Sequence, residues 1–364
     1  MRLRNQFLAK ATASDPASAV AWFGAMQAQE YAIAKWSVAQ RVTGLDDAAV
    51  QRAVDDGRIL RTHALRPTWH FVAASDLCWI QALTGPRVHA FSAYYYRLHG
   101  LDDATAERTN AVIVGALRGG KALTRPEIGV VLADAGLPAT GNRLAYIVMR
   151  AELDGLIANG PMRGKQHTYA LVAERAPVQT ELHGDDALAE LTRRYFTSHG
   201  PATVKDFAWW SSLTLTQVRH GIEVLGDELS SAEVAGRRYW WAAASTTVDA
   251  SGATRGAGER AVTPIAHVLQ AYDEYAIAYK ESRDLLNLAG LPVVLPNENT
   301  TVHLVVVDGQ LVALWRSKVE RGGISADLRP VRPLAAADRR DVMDAFARYA
   351  TFAGIPVHVQ IRPA

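Results

Sequence analysis

Three stretches of this chain repeat one order of elements: helix, helix, helix, then a hairpin of two short strands. That repeat constrains the fold more than any single motif, because each copy must bury a small core of its own before the copies pack on one another. The clearest copy is 105–173. TAERTNAVIVGALRG reads as an amphipathic helix. LTRPEIGVVLADAG opens on Thr124, a capping residue, carries Pro126 and Glu127 in its first turn, and closes on Gly136. In NRLAYIVMRAELDGLI the apolar residues Leu144, Ile147, Val148, Ala151, Leu153 and Leu156 recur at helical spacing. IANGPMRGKQHTYALV then reads as two short strands around a basic, glycine-bearing turn.

Residues 186–243 repeat the order. DALAELTRRYFTSHG and ATVKDFAWWSSL, the latter opening on Thr203, precede LTQVRHGIEVLGDEL and a hairpin turning at Ala235-Gly236. Residues 16–72 fit more loosely: PASAVAWFGAMQAQ, AKWSVAQRV and DDAAVQRAVDDG as helices, then RILRTHALRPTWHFV as strands turning at ALRP. Helix, helix, helix, hairpin is the winged-helix order, a variant of helix-turn-helix. The sequence therefore predicts an α+β chain of three tandem winged-helix modules, against the plainer reading of a generic α+β protein with helical hairpins. DLCWIQALTGPRVHAFSAYYYRLHG, broken near Gly85-Pro86, reads as the link between the first two modules. TTVDASGATRGAGER, 246–260, lacks apolar content and reads as a mobile loop. Beyond it lies a small β-rich C-terminal domain, with hairpin turns at Asp308-Gly309 and Gly322-Gly323, the helix ADRRDVMDAFARYATFAG and a last strand PVHVQI. The expected divisions are 1–104, 105–180, 181–260 and 261–364.

Composition narrows the function classes. Hydrophobic residues make up 49% of the 364 and charged residues 21%, a soluble globular balance. No apolar run reaches transmembrane length and the N-terminus has no signal-peptide core, so a cytoplasmic protein is expected, with no membrane partner. The single cysteine, Cys78, excludes an intramolecular disulfide and a cysteine-rich zinc site. The net charge of +2 does not point to nucleic acid by itself, but residues 1–100 carry 11 basic and 7 acidic side chains. Only 7 of the 39 basic residues are lysine. Arginine suits phosphate and base contacts, and a G+C-rich genome produces the same bias.

Four tracts carry candidate chemistry. The wing of the middle module holds Arg163, Lys165 and His167 with no acid, which suits either a phosphate contact or a solvated turn. RTHALRPTWHFV holds Arg61, His63, Arg66, Thr68, Trp69 and His70; on a strand Arg61 and His63 share a face. That tract reads either as a DNA contact or as a packed hairpin with satisfied histidines. The two histidines lack a third ligand at metal spacing, so no metal is expected. AYDEYAIAYKESRD carries Asp273, Glu274, Lys280 and Arg283. Adjacent carboxylates diverge by about 100° on a helix, which argues against an acid/base pair made from Asp273 and Glu274 alone. Lastly, GAMQAQEY places Gln27 and Gln29 one residue apart at the end of an apolar run. On a continuous helix positions i and i+2 face away from each other. They are either two solvated amides at a helix end or a pair that needs the helix to end between them. The sequence has no phosphate-loop, dinucleotide-binding, nucleophile-elbow or HExxH motif.

Taken together, MQAQE near the N-terminus, LRPTWHFV on the first hairpin and AYDEYAIAYKESR before a β-rich C-terminus resemble the AlkZ/YcaQ-like winged-helix DNA glycosylases, over essentially the whole chain. The resemblance implies a concave, C-shaped body of tandem winged helices around duplex DNA. It implies removal of N7-alkylated purines, extending to bulky natural-product adducts and interstrand crosslinks. It implies catalysis by Gln27 and Gln29, in the glutamine–glutamine form of the AlkZ branch, which is associated with self-resistance to genotoxic products. Ala276-Ile277-Ala278 departs from the bulkier aliphatic and glycine residues more usual in the family. On this resemblance Arg61, His63, Arg66, Thr68, Trp69, His70, Arg163, Lys165, Lys280 and Arg283 are candidate DNA contacts, Asp273 and Glu274 possible accessories, and no cofactor or metal is needed. The protein is expected to act as a monomer at the nucleoid, with an open site beside the hairpin.

Glutamine is neutral and cannot be a general base. An N7-alkylguanine, however, already carries positive charge and needs no general acid to leave. What remains is to place a water below the anomeric carbon, and two amide oxygens can do so. The first helix is then expected to end between or at the two glutamines. A Schiff-base route has no obvious lysine, Lys35 being the nearest in sequence to the pair. The alternative reading is a non-catalytic winged-helix protein that binds DNA as a regulator or a damage sensor.

Overall fold

Capping residues set most of the helix starts in the computed structural model, in which residues 1–243, 266–293 and 302–363 are described. After a short turn α1 (Arg2–Asn5), Asp15 caps α2 (Pro16–Phe23) by accepting from the Ala17 and Ser18 amides. Strand β1 (Met26–Gln27), helices α3 (Tyr31–Ala39) and α4 (Asp47–Asp55), and strands β2 (Ile59–Ala64) and β3 (Arg66–Ala73) complete the first unit. Helix α5 (Leu77–Leu98) leads to α6 (Asp103–Leu117), β4 (Leu123–Thr124), α7 (Arg125–Asp134), α8 (Gly141–Leu153), β5 (Ile157–Asn159) and β6 (Thr168–Leu171). After the turn α9 (Val172–Arg175) come α10 (Gly184–Ser198), α11 (Val204–Ser211), α12 (Leu215–Leu225), β7 (Leu229–Val234) and β8 (Arg237–Ala242). Thr124, Thr203 and Thr214 each close a reciprocal capping box at the start of α7, α11 and α12.

Two expectations are corrected. The first helix does not run to Gln27. It stops at Phe23, Gly24 turns the chain at φ 78°, and the next residues join the sheet. β1 pairs antiparallel with β3, Met26 opposite Phe71 and Gln27 opposite His70, so the hairpin becomes a sheet of order β1-β3-β2. The free edge of β3 offers hydrogen bonds that a helix end cannot match. The helix α5 is also unbroken, with Pro86 inside it. Proline deprives Ala82 of one donor, but α5 packs against α8, α10, β2 and β3, and the helix runs on through Pro86 to Leu98.

The last part is a mixed antiparallel and parallel sheet. β9 (Ala266–Leu269), the single turn α13 (Glu274–Ile277), β10 (His303–Val307), β11 (Gln310–Glu320), β12 (Gly323–Pro330), α14 (Ala336–Ala353) and β13 (Val357–Ile361) follow in order. The sheet order is β13-β12-β11-β10-β9, with only β12 and β13 parallel among the described residues. β9 was not foreseen from the sequence. The tract 246–260, expected to be a loop, lies outside the described residues.

The first unit and the C-terminal sheet share one core: Phe23, Trp36 and Phe71 from the former meet Val268, Trp315 and Phe346 from the latter. The segment 26–29 lies at that junction. Among the described residues no helix is long and apolar enough to cross a membrane.

Candidate active site

Gln27 closes strand β1 and Gln29 lies in the bend just past it, so neither is on a helix and the helical i, i+2 divergence does not apply to the pair. The segment is held from three sides. The Trp69 carbonyl accepts the Ala28 N–H at 2.8 Å, and the Trp69 N–H donates to Gln29 Oε1 at 3.4 Å. Arg61 Nε donates to the Ala28 carbonyl at 2.9 Å and its Nη2 reaches the Gln29 carbonyl at 3.4 Å. Arg66 Nη2 donates to Gln27 Oε1 at 3.2 Å. Only an oxygen can accept from these donors, so both amide orientations are set by the protein. Gln27 is 2% exposed and Gln29 half-buried.

Beneath Gln27 lies Glu274, 1% exposed. Its Oε1 accepts the Gln27 N–H at 2.7 Å, and its Oε2 accepts from Trp210 Nε1 at 2.9 Å and His199 Nε2 at 3.2 Å. Gln270 Nε2 donates to the Gln27 carbonyl at 3.2 Å. Burial works to raise the Glu274 pKa, but the hydrogen bond and charge of His199 and the Gln27 N–H outweigh it, and the net value lies below the ordinary carboxylate range. Burial lowers His199, with Glu274 opposing. Asp273 turns the other way, as adjacent carboxylates should. It is fully buried and accepts from Arg41 Nη2 at 2.7 Å, Arg41 Nη1 at 3.0 Å and Ser37 Oγ at 2.8 Å, and it caps α13. Its oxygens are thus committed to structure.

His70, directly across the ladder from Gln27, is buried. Its Nδ1–H donates to the Thr68 carbonyl at 3.0 Å, and burial together with the Arg66 charge pushes its pKa down to about 3, so the imidazole is neutral. His63 Nδ1–H donates to Glu152 Oε2 at 2.6 Å, and the His63 ring lies 4.5 Å from that of Trp69. The side chains of Arg61, His63, Arg66 and His70 therefore point into the protein, while Thr68 and Trp69 are partly exposed. Arg163 is exposed on the turn between β5 and β6, bonded to Glu127 and the Ala122 carbonyl, and Lys165 is exposed beside it. Lys280 is exposed over the Trp209 ring, and Arg283 donates to the Tyr279 carbonyl. Lys35 is buried and bonds Asp47 at 2.7 Å.

His199, Trp210, Gln270 and Arg41 were not anticipated. They come from four separate parts of the chain and carry no local motif; only the family tract AYDEY marked the place where they converge. No group of three or more metal-ligating side chains lies among the described residues.

A family model described as DNA glycosylase AlkZ-like matches residues 20–352. The interstrand DNA cross-link repair glycosylase of Streptomyces sahachiroi is 27% identical over 247 residues, spanning 65% of this chain and 66% of that protein, just under two thirds. The solved structure of the Streptomyces sahachiroi DNA glycosylase AlkZ superposes with a TM-score of 0.76 at 22% identity, over 99% of this chain and 97% of that one, which establishes a common mixed α/β fold.

Proposed function

The chain belongs to the AlkZ-like DNA glycosylase family, and from that membership we propose that it hydrolyses the N-glycosidic bond of N7-alkylated purines in duplex DNA, with Gln27 and Gln29 ordering the attacking water. The observation that most supports this is the fixed orientation of the two amides. Arg66 and the Trp69 N–H each occupy one lone pair of a carbonyl oxygen. Each oxygen keeps a second lone pair for a water. The C1′–N9 bond breaks with its electron pair passing to the cationic base, which leaves as a neutral purine. The water oxygen bonds C1′, and its proton goes to solvent. The amide dipoles favour the positive sugar, while a neutral pair gives no help to an uncharged purine, so selectivity follows from the lesion's own charge. No lysine amine among the described residues bonds either glutamine side chain, so on this reading the product is an intact abasic strand.

On the same reading the three helix–helix–helix–hairpin units are winged-helix modules, divided at 1–104, 105–180 and 181–260 with a C-terminal domain 261–364, and together they form a concave surface around the duplex. Thr68 and Trp69 lie beside the lesion, and Arg163, Lys165, Lys280 and Arg283 face phosphates. Arg61, Arg66, His63 and His70 act from beneath, by holding the glutamines and the hairpin. We extend to this chain the crosslink repair carried by the name of its relative, and we place it in the cytoplasm at the nucleoid, as a monomer needing no cofactor. The regulator alternative finds less support, because the third helix of the middle unit spends its arginines at home: Arg143 on the His99 carbonyl, and Arg150 on Asp103 at 2.6 Å.

The test is release of 7-methylguanine from alkylated duplex. We expect release by the wild type, no covalent enzyme–DNA adduct on treatment with sodium borohydride, and a loss of at least about 10²-fold in single-turnover rate for Gln27→Ala or Gln29→Ala. Undiminished release by a folded double variant would move the chemistry elsewhere.

A further inference from the structure

Successive residues of a strand point to opposite faces, so Trp69 turns away from the face that His70 shares with Gln27. There it lines a cavity of about 440 Å³ with His63, Tyr95, His99 and Tyr146. The walls are stacked rings: Tyr95 and Tyr146 lie 5.2 Å apart at 12°, and His99 and Tyr146 lie 5.3 Å apart. Glu152, 1% exposed, also lines the cavity. Its Oε2 is taken by His63, but its Oε1 has no hydrogen-bond partner among the described residues. A buried carboxylate oxygen left without a donor is costly. Its complement is a flat ring that stacks on aromatic side chains and presents an N–H at its edge. Arg125 is exposed at the rim, where a sugar–phosphate would pass.

We propose that this cavity is a nucleobase-binding subsite, in which a purine packs among the aromatic rings that line it and gives an N–H to Glu152 Oε1. Stacking accepts any base; the single acceptor requires a donor edge. Trp69, which lines the subsite, is joined through its backbone to Ala28 and the Gln29 amide, and the subsite stands whether or not a glycosidic bond is cut there. It adds a place for an extruded or released base to a site otherwise expected to act without one.

The test uses free bases and the full chain, so it does not depend on turnover. By isothermal titration we expect saturable binding of 7-methylguanine, and binding of caffeine, a purine with no N–H donor, to be weaker by about tenfold. In Glu152→Gln the amide oxygen must face the His63 donor, which turns the NH₂ toward the cavity. 7-Methylguanine is then expected to weaken by about tenfold and caffeine to stay unchanged. Tyr146→Ala, which removes a half-buried ring packed at the edge of the middle unit's core, is expected to weaken both by about tenfold, and thermal melting checks that each variant is folded. Equal affinity for the two purines, no effect of Glu152→Gln in a folded protein, or no saturable binding would each overturn the proposal.

Discussion

At the scale of single residues, the site rests on buried groups that stay neutral or stay paired. His70 and His303 are both buried, with pKa values pushed down to about 3 and about 4 by loss of hydration, and in His70 also by the charge of Arg66. In the unfolded chain both titrate near the ordinary value of about 6.5. The unfolded state therefore binds more protons below that pH, and the stability these residues contribute is present above about 6.5 and lost as pH falls toward 4. Glu274, with its lowered value, adds a loss at the acid end, as pH falls from its unfolded pKa through its folded one. We expect urea-unfolding free energy to be flat above pH 7 and to drop between pH 6.5 and 4, by up to about 1.4 kcal/mol per pH unit for each buried histidine. Replacing His70 by glutamine should shallow that slope. A profile that stays level down to pH 4.5 would contradict the burial of these imidazoles.

At the scale of elements, helix α12 approaches α10 through Gly221. A methyl group there would collide with Thr192 Oγ1 and stand 3.2 Å from Leu188 Cγ. Thr192 cannot swing aside cheaply, because its hydroxyl donates to the Leu188 carbonyl at 2.7 Å. Gly221→Ala should therefore destabilise by about 1–3 kcal/mol. Gly115, on α6, has nothing within 4 Å of such a methyl, and Gly115→Ala should stabilise by about 0.5–1 kcal/mol through helix propensity. Paired denaturation curves decide this, and a matching sign for the two changes would defeat the packing argument. The same contrast explains what was legible in the sequence. Thr124 and Thr203 cap helices by local hydrogen bonds, and Asp308-Gly309 turns a hairpin by local dihedrals, so a few neighbouring letters suffice to see them. β1 and β9 were hidden because a short strand is made by the edge it joins. Gln27 and Gln29 were singled out by family resemblance, and the helix expected to carry them stops at Phe23 because the edge of β3 draws Met26 and Gln27 into the sheet. Glu274, named from the sequence only as a possible accessory, is a buried anchor because His199 and Trp210 reach it from 75 and 64 residues away.

At the scale of the whole molecule, the repeat along the chain does not translate into equal folding units. Trp36 of the first unit packs 5.4 Å from Tyr349 and 5.3 Å from Phe352 of α14, and its indole donates to the Val268 carbonyl at 2.8 Å. Arg41 and Asp273, both with no exposed side-chain surface, pair at 2.7 Å across the same junction. Cutting the chain after 243 would bare this core and remove the carboxylate that pairs Arg41, and breaking a buried pair of this kind costs about 3–5 kcal/mol. That is a large part of the stability of a typical domain. The middle unit is different: Ile113, Leu117, Ile128, Leu132, Leu144 and Ile147 form a core with Val88 and Tyr96 of α5 and nothing from the C-terminal sheet. The fragment 1–243 is expected to lack hydrogen-exchange protection in α3, whereas the fragment 77–180 is expected to melt cooperatively. Strong protection of α3 in the truncated chain would refute the shared core. Because Glu274, which lies beyond the cut, fixes the Gln27 N–H, the truncated chain should also fail to release 7-methylguanine even where its middle unit is folded. The C-terminal sheet would then be part of the active site's support, and the glutamine pair would come into register only when both ends of the chain have met.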